Sequence, residues 1–192
     1  ALAESSGDME KAVDFLRKKG LKNVSNRAGK VAAEGMVHCY IHPGSRIAVM
    51  LELNCETDFV GRGEDFTGLA KDIGMHIAWA KPRFLSREEV PADVLEREKE
   101  VFRGQLQPGQ DKMADKIIAG KLEKFYQENC LLEQEDVKEA GAKKSIQDRI
   151  NDASAKLGEK VVLRRFVRYE VGEGIEKQVV DYAAEVAAAA QV

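Results

Sequence analysis

The chain has 192 residues, with 30 Lys and Arg against 33 Asp and Glu, a net charge of −3 and a pI near 5.8. That size fits one domain, or one domain with a small appendage, and allows a respectable core. The acidic balance argues against a general nucleic-acid or membrane-surface binder, which would usually be basic. No apolar run approaches the roughly 18 residues of a spanning helix, and no signal peptide opens the chain. Cys39, Cys55 and Cys130 are odd in number and widely spaced, so they suggest neither a disulfide framework nor a metal knuckle. A reducing compartment is expected.

In chain order, Asp8 can cap a helix over Asp8–Lys19 whose apolar residues Met9, Ala12, Val13 and Leu16 recur at helical spacing, with Gly20 as its stop. Leu21–Lys30 carries Lys22, Arg27 and Lys30 among small polar residues and reads as a linker. Val37, Cys39 and Ile41 alternate into a first strand, and His42-Pro-Gly-Ser45 turns it into a second. There Ile47, Val49, Leu51 and Leu53 alternate against Ala48, Met50, Glu52 and Asn54, the period of a half-buried sheet.

The alternation stops at Cys55, and a polar Glu-Thr pair precedes an acid and an aromatic side by side. Thr57 is an N-cap for a helical turn, which places Asp58 and Phe59 at a strand-to-helix corner. Two readings stand: Phe59 folded back into the core, as most aromatics are, or Phe59 as the point of a wedge.

Glu64–Ala80 is the most regular helix, with Phe66, Leu69, Ala70, Ile73, Ile77 and Ala80 in one stripe. Met75 and Trp79 lie off it, a second packing surface that serves either the chain itself or a partner. Ser86-Arg-Glu-Glu89 has the form of a capping box, and Pro91 starts a helix afresh behind it. Pro91–Leu106 and Asp111 to about Gln127 read as an antiparallel helical pair joined at Gln107-Pro-Gly-Gln110.

Leu131–Ala142 is acidic and irregular. Ser145–Leu157 is a helix with Ile146, Ile150, Ala153 and Leu157 on one face and Gly158 as its stop. In the strand that follows, strict alternation puts Val161, Leu163, Val167, Tyr169 and Val171 on one side. Val162, Arg164, Phe166 and Arg168 fall on the other, and Arg165 breaks the apolar face at its middle. Gly172-Glu-Gly174 ends the strand, and an alanine-rich helix runs from about Gln178 to Ala190. The fold class expected is α+β. It combines a three-stranded, mostly antiparallel sheet packed with helices, a protruding antiparallel helical pair and a C-terminal helix.

Catalytic chemistry finds little footing. The histidines are His38, His42 and His76, none in a nucleophile or metal-ligand pattern, and adjacent strand residues such as His38 and Cys39 point to opposite faces. Gly172-Glu-Gly-Ile175 lacks the Lys-Ser/Thr of a phosphate loop, so direct GTP binding is not expected. Arg164, Arg165 and Arg168 are expected to bridge to carboxylates rather than bind phosphate. The residues thus indicate no enzyme, no cofactor and no metal site.

Glu52-Leu-Asn-Cys-Glu-Thr-Asp-Phe-Val60 resembles the signature of the elongation factor Ts family, nucleotide exchange factors for elongation factor Tu. Three more segments are similar to that family, in its order. They are Ala1–Ala12 with Leu16-Arg-Lys-Lys-Gly20; Met75-His-Ile-Ala78 with Lys81-Pro82; and Val167–Lys177 with Ala183-Ala-Glu-Val-Ala187. Gly61 departs from the family's usual Ala or Ser, which implies a looser turn after the wedge.

The resemblance implies that Thr57, Asp58, Phe59 and Val60 dislodge Mg2+ from elongation factor Tu, with weaker contacts from His76, Asp181, Tyr182 and Val186. For His76 a packing role and a partner role are both open. It also implies a division of the chain into residues 1–20, the last helix of a ubiquitin-associated-like domain lacking its first two helices; a linker, 21–30; a core and dimerisation domain, 31–174, with the helical pair at 91–127; and a C-terminal helical module, 175–192. The chain opens on Ala1 rather than Met, as a processed or incomplete chain does.

Elongation factor Tu, GDP-bound or nucleotide-free, is the implied partner, with no direct contact to nucleic acid or membrane. The cytoplasm is the implied compartment, with plastid stroma and mitochondrial matrix as alternatives. Short members pair into dimers, and the Met75/Trp79 patch with the Val162/Phe166 face of the last strand is the surface expected to pair. A scaffold that holds elongation factor Tu or sits on the ribosome without driving exchange is the alternative function.

Overall fold

The computed structural model describes residues 29–110, 113–139, 141 and 143–176, together with residues 4–6, 8, 9, 11, 14, 15, 18 and 27. Its architecture is α+β. Three antiparallel strands, β1 (Glu34–Ile41), β2 (Ile47–Cys55) and β3 (Val162–Glu170), lie in the order β1-β2-β3. The β1–β2 turn is closed by the His42 amide, which donates to the Ile47 carbonyl at 2.9 Å, and by the Ser45 amide, which donates to the His42 carbonyl at 3.0 Å.

Central strand β2 carries the expected alternation, with Val49, Leu51 and Leu53 buried and Met50 exposed. A short helix, α1 (Asp58–Gly61), follows, and then α2 (Glu64–Ala80), whose Phe66, Leu69, Ala70, Ile73 and Ile77 pack on that buried face. Period 2.0 on the strand meets period 3.6 on the helix, and this contact is the core. Leu131, Ile146, Ile150, Val161 and Leu163 complete it.

Two strand faces differ from expectation. In β1 it is Met36 and Tyr40 that pack on the core, while Val37, Cys39 and Ile41 face outward. In β3 the apolar face is split. Glu52 pairs with Arg165 but Leu53 pairs with Leu163, so Arg164 is an extra residue. Such a bulge flips the side-chain phase. Val161 and Leu163 face the core before it; after it Phe166 does, and Val167, Tyr169 and Val171 turn out to solvent.

Gly74 lies where α2 crosses β1, and a Cβ there would stand 2.9 Å from the Tyr40 Cβ. Overpacking of this kind costs about 1–3 kcal/mol, more than the ~0.5–1 kcal/mol that Ala gains over Gly inside a helix. Gly74→Ala is therefore expected to lower the urea midpoint, and a raised midpoint would count against this packing.

The helical pair is α3 (Ala92–Gly104) and α4 (Ala114–Asn129), with a separate small core of Val90, Phe125 and Cys130 at its base. The capping box expected at Ser86 does not form: Arg87–Glu89 is a single 3-10 turn without a side-chain cap. Val90 precedes Pro91 and is extended (φ −70°, ψ 119°), as the clash with the proline ring requires. The Arg87 fork instead grips Glu133 with two bonds of 2.7 Å.

Helix α5 (Ile146–Leu157) begins with a true capping box between Ser145 and Asp148 and ends on left-handed Gly158. Arg149 projects from it between the carboxylates of Asp72 and Asp136, and Lys138 Nζ adds a 2.7 Å contact to Asp72. Of the expected Asp8–Lys19 helix, Met9, Lys11, Asp14, Phe15 and Lys18 are described and helical. The expected terminal helix, with Asp181, Tyr182 and Val186, lies outside the described residues. Among the described residues no helix is long and apolar enough to cross a membrane.

Candidate functional site

Strand β2 delivers the chain to its corner with Cys55 fully buried and its Sγ donating to the Thr57 carbonyl at 3.0 Å. Burial is the main cause that pushes the Cys55 thiol up. Thr57 is extended (φ −128°, ψ 151°) and caps α1, its hydroxyl accepting from the Val60 amide at 3.4 Å. Gly61 and Arg62 amides close the turn on the Thr57 and Asp58 carbonyls at 3.2 and 3.1 Å. The turn is not loosened at Gly61, which is buried beneath β1: a Cβ there would meet the Gly35 Cα at 3.1 Å.

Phe59 is 85% exposed. The reading that folds it into the core is thereby excluded, and Val60, half-buried against the core, fills that role. An exposed apolar side chain is ordinary in itself. What sets this one apart is the backbone behind it, which is fixed from two sides.

Glu159 Oε2 accepts from the Glu56 and Thr57 amides at 3.1 and 3.0 Å, and its Oε1 accepts from the Thr57 hydroxyl at 2.6 Å. In return Glu56 Oε1 accepts from the Lys160 amide at 2.7 Å and from Arg27 at 2.8 Å. These two donors, Lys160 first, hold the Glu56 carboxyl below the usual carboxylate range. Asp58 is exposed and pairs with Arg62 one turn on, at 3.0 Å.

The bracing role of Glu159, Glu56 and Arg27 escapes a reading of the sequence alone. Their only trace is chemical: two polar residues at a strand end whose amides need acceptors.

His76 is 1% exposed, with Nε2 3.0 Å from Gln134 Oε1, so of its two open roles the packing one is observed. It lies under a cleft of about 420 Å3 with Trp79 at the edge. Trp79 itself is 72% exposed and Met75 half-buried. Burial, outweighing the Gln134 contact, holds the His76 pKa below its ordinary 6.5.

For a base with a depressed folded-state pKa, the stability contribution is complete above the unfolded value and is lost as pH falls below it. The ring should therefore titrate below 6.5 by NMR, with stability declining over the same acid window. A midpoint above 6.5 would contradict the burial.

The arginines bridge carboxylates as expected. Arg164 and Arg165 share Glu52, at 2.8 and 2.6 Å, and Arg168 on the opposite face binds Glu170 at 2.6 Å. Lys81 and Arg168 together hold the Glu170 carboxyl down to about 2. Among the described residues no group of His, Cys, Asp and Glu side chains is arranged to hold a metal ion.

The corner thus combines a backbone held from two sides, an exposed aromatic at its point and an exposed acid beside it. Residues 8–173 match the family described as Elongation factor TS. The elongation factor Ts of Desulforamulus reducens is 58% identical over 190 residues, 98% of this chain and 87% of that one. That of Moorella thermoacetica is 58% identical over 177 residues, covering 91% and 86% of the two chains. That of Geobacter metallireducens is 53% identical over 192 residues, covering 99% and 88%. The chain belongs to the elongation factor Ts family of translation elongation factors.

Proposed function

We propose that the chain is a guanine nucleotide exchange factor that binds elongation factor Tu and promotes release of its GDP. The observation that carries this reading is Phe59, 85% exposed at the point of a corner whose backbone is held in place. Such a group costs its own fold nothing to lend to a partner. Burying it in a crevice of the nucleotide-binding domain is worth roughly 1.5–3 kcal/mol. Realised only when the site is open, that is about one to two decades in nucleotide affinity.

Asp58 works beside it electrostatically. Once it exchanges Arg62 for the partner, its negative charge perturbs the water and side-chain ligands of the bound Mg2+. Thr57 sets the turn and Val60 seats it. Asp181, Tyr182 and Val186 supply a second contact, and His76 supports the surface from beneath. The chain needs no cofactor and performs no covalent step. Residues 31–174 act as the core unit, with 1–20, 21–30 and 175–192 as appended helix, linker and terminal module.

The test is release of a fluorescent GDP from purified elongation factor Tu. The rate should rise with added chain and saturate; binding without acceleration would make it a scaffold.

We also infer a symmetric dimer, for which a different surface is the better candidate than the one anticipated. Phe166 packs inward after the β3 bulge, whereas Val37, Ile41, Met50, Val167, Tyr169 and Val171 form an open apolar sheet face. A two-fold axis can cover such a face with its own copy. Light scattering on the order of tens of micromolar should give twice the chain mass; a monomer would reject this pairing.

A further inference from the structure

We infer that Glu159 is a positioning residue for the exchange wedge, acting on Phe59 through the backbone of Glu56 and Thr57. The inference rests on the exchange reading above and adds what sets the wedge's direction.

The geometry builds upward from the sheet. Asn54 at the end of β2 pairs with Val162 at the start of β3, so the residues just outside the ladder, 56–57 and 159–160, meet. Gly158 caps α5 in the left-handed region (φ 71°), which a glycine adopts without penalty and which turns the chain sharply out of the helix. The Glu159 carbonyl is then fixed by the hydroxyl of buried Ser154, and its carboxylate faces the corner.

One carboxylate there receives three donors, the Glu56 amide, the Thr57 amide and the Thr57 hydroxyl, at 2.6–3.1 Å. Bonds of this charge-assisted kind are the strong ones. Two of them fall on the residue that also caps α1, so the direction of the turn carrying Asp58 and Phe59 is tied to Glu159. The reciprocal bonds from Lys160 and Arg27 to Glu56 close the clamp from the other side. A wedge must arrive already oriented, because ordering it on binding would consume the free energy it is there to deliver.

The test uses the full chain with elongation factor Tu and compares Glu159→Ala, Glu159→Gln and Phe59→Ala with the natural sequence. Two readouts are taken. The first is amide hydrogen exchange at Glu56 and Thr57, which reports the clamp without any partner. The second is GDP release as a function of chain concentration, which separates the maximal rate from the half-saturating concentration.

In Glu159→Ala the two amides should exchange about tenfold faster or more while Val49 and Leu51 in β2 stay protected. The maximal release rate should fall about tenfold with half-saturation within about twofold, the mark of a loss felt in the exchange step rather than in association. Glu159→Gln, whose amide oxygen still accepts from both backbone N–H groups, should restore most of both.

Unchanged exchange at Glu56 and Thr57 overturns the clamp. Faster exchange with an unchanged maximal rate overturns the positioning role, as does a loss of rate matched by weaker half-saturation and failure of Glu159→Gln to rescue. Should Phe59→Ala release GDP as fast as the natural chain, the exchange reading itself fails, whatever Glu159 does to the amides.

Discussion

Phe59→Ala is expected to slow GDP release from elongation factor Tu by about one to two decades, the range of the apolar burial it removes. Its effect on the fold should be near zero. The side chain is 85% exposed and, as a surface substitution, is worth within about 0.5 kcal/mol, or about 2 °C in Tm for a chain of this size. Asp58→Ala should follow the same pattern with a smaller loss of rate, its own ion pair with Arg62 being exposed and of the one-turn helical kind worth ~0.2–0.5 kcal/mol. A Tm drop of many degrees in Phe59→Ala would mean that the ring supports the core after all.

The largest effect on stability is expected far from the wedge, at Arg149. Its guanidinium lies between Asp72 and Asp136, and the Asp136 side chain is only 1% exposed. Arg149→Ala leaves that carboxylate buried without its cation, which costs about 3–5 kcal/mol. For a domain this long the shift is about 6–20 °C in Tm. The Lys138 ammonium pairs with Asp72, and Lys138 meets Asp136 through its backbone amide, which donates to Asp136 Oδ1 at 3.0 Å; that neutral donor does not replace the lost cation. Thermal unfolding followed by circular dichroism checks this, and a shift under about 2 °C would place Asp136 in contact with water. Because this network anchors the 134–138 segment against α2 over His76, the variant also tests whether that segment is needed for exchange.

Much of this architecture can be read from the residues. β2 and α2 announce themselves because one face of each is continuous in its own period, and the Glu64–Ala80 bounds emerge as expected. Thr57 as a cap and the Ser145/Asp148 start of α5 are likewise local chemistry. The β3 bulge is not legible in the same way. Val161, Leu163, Val167, Tyr169 and Val171 all fall on odd positions, so strict alternation hides the phase change at Arg164; only Arg165, a charge amid that apolar row, marks it.

Ser86-Arg-Glu-Glu89 has the letters of a capping box but not its bonds, whereas the fresh helix start expected at Pro91 is where α3 begins. At the site, the sequence presents Asp58 and Phe59 at a corner but leaves Phe59's exposure undecided, since aromatic residues usually pack. Glu159 stays invisible for a different reason. It lies 102 residues from Thr57, and their meeting depends on strand order rather than on any local pattern.

The chain is expected to favour the nucleotide-free state of elongation factor Tu, and linkage makes this preference measurable in both directions. The chain's affinity should be determined for nucleotide-free and for GDP-bound elongation factor Tu, alongside the affinity of GDP with and without the chain. Binding to the nucleotide-free form should be tighter, by the same factor by which the chain weakens GDP, with that factor shrinking about ten- to a hundredfold in Phe59→Ala. Equal affinity for the two forms, with GDP release unchanged, would contradict it and leave the chain a scaffold.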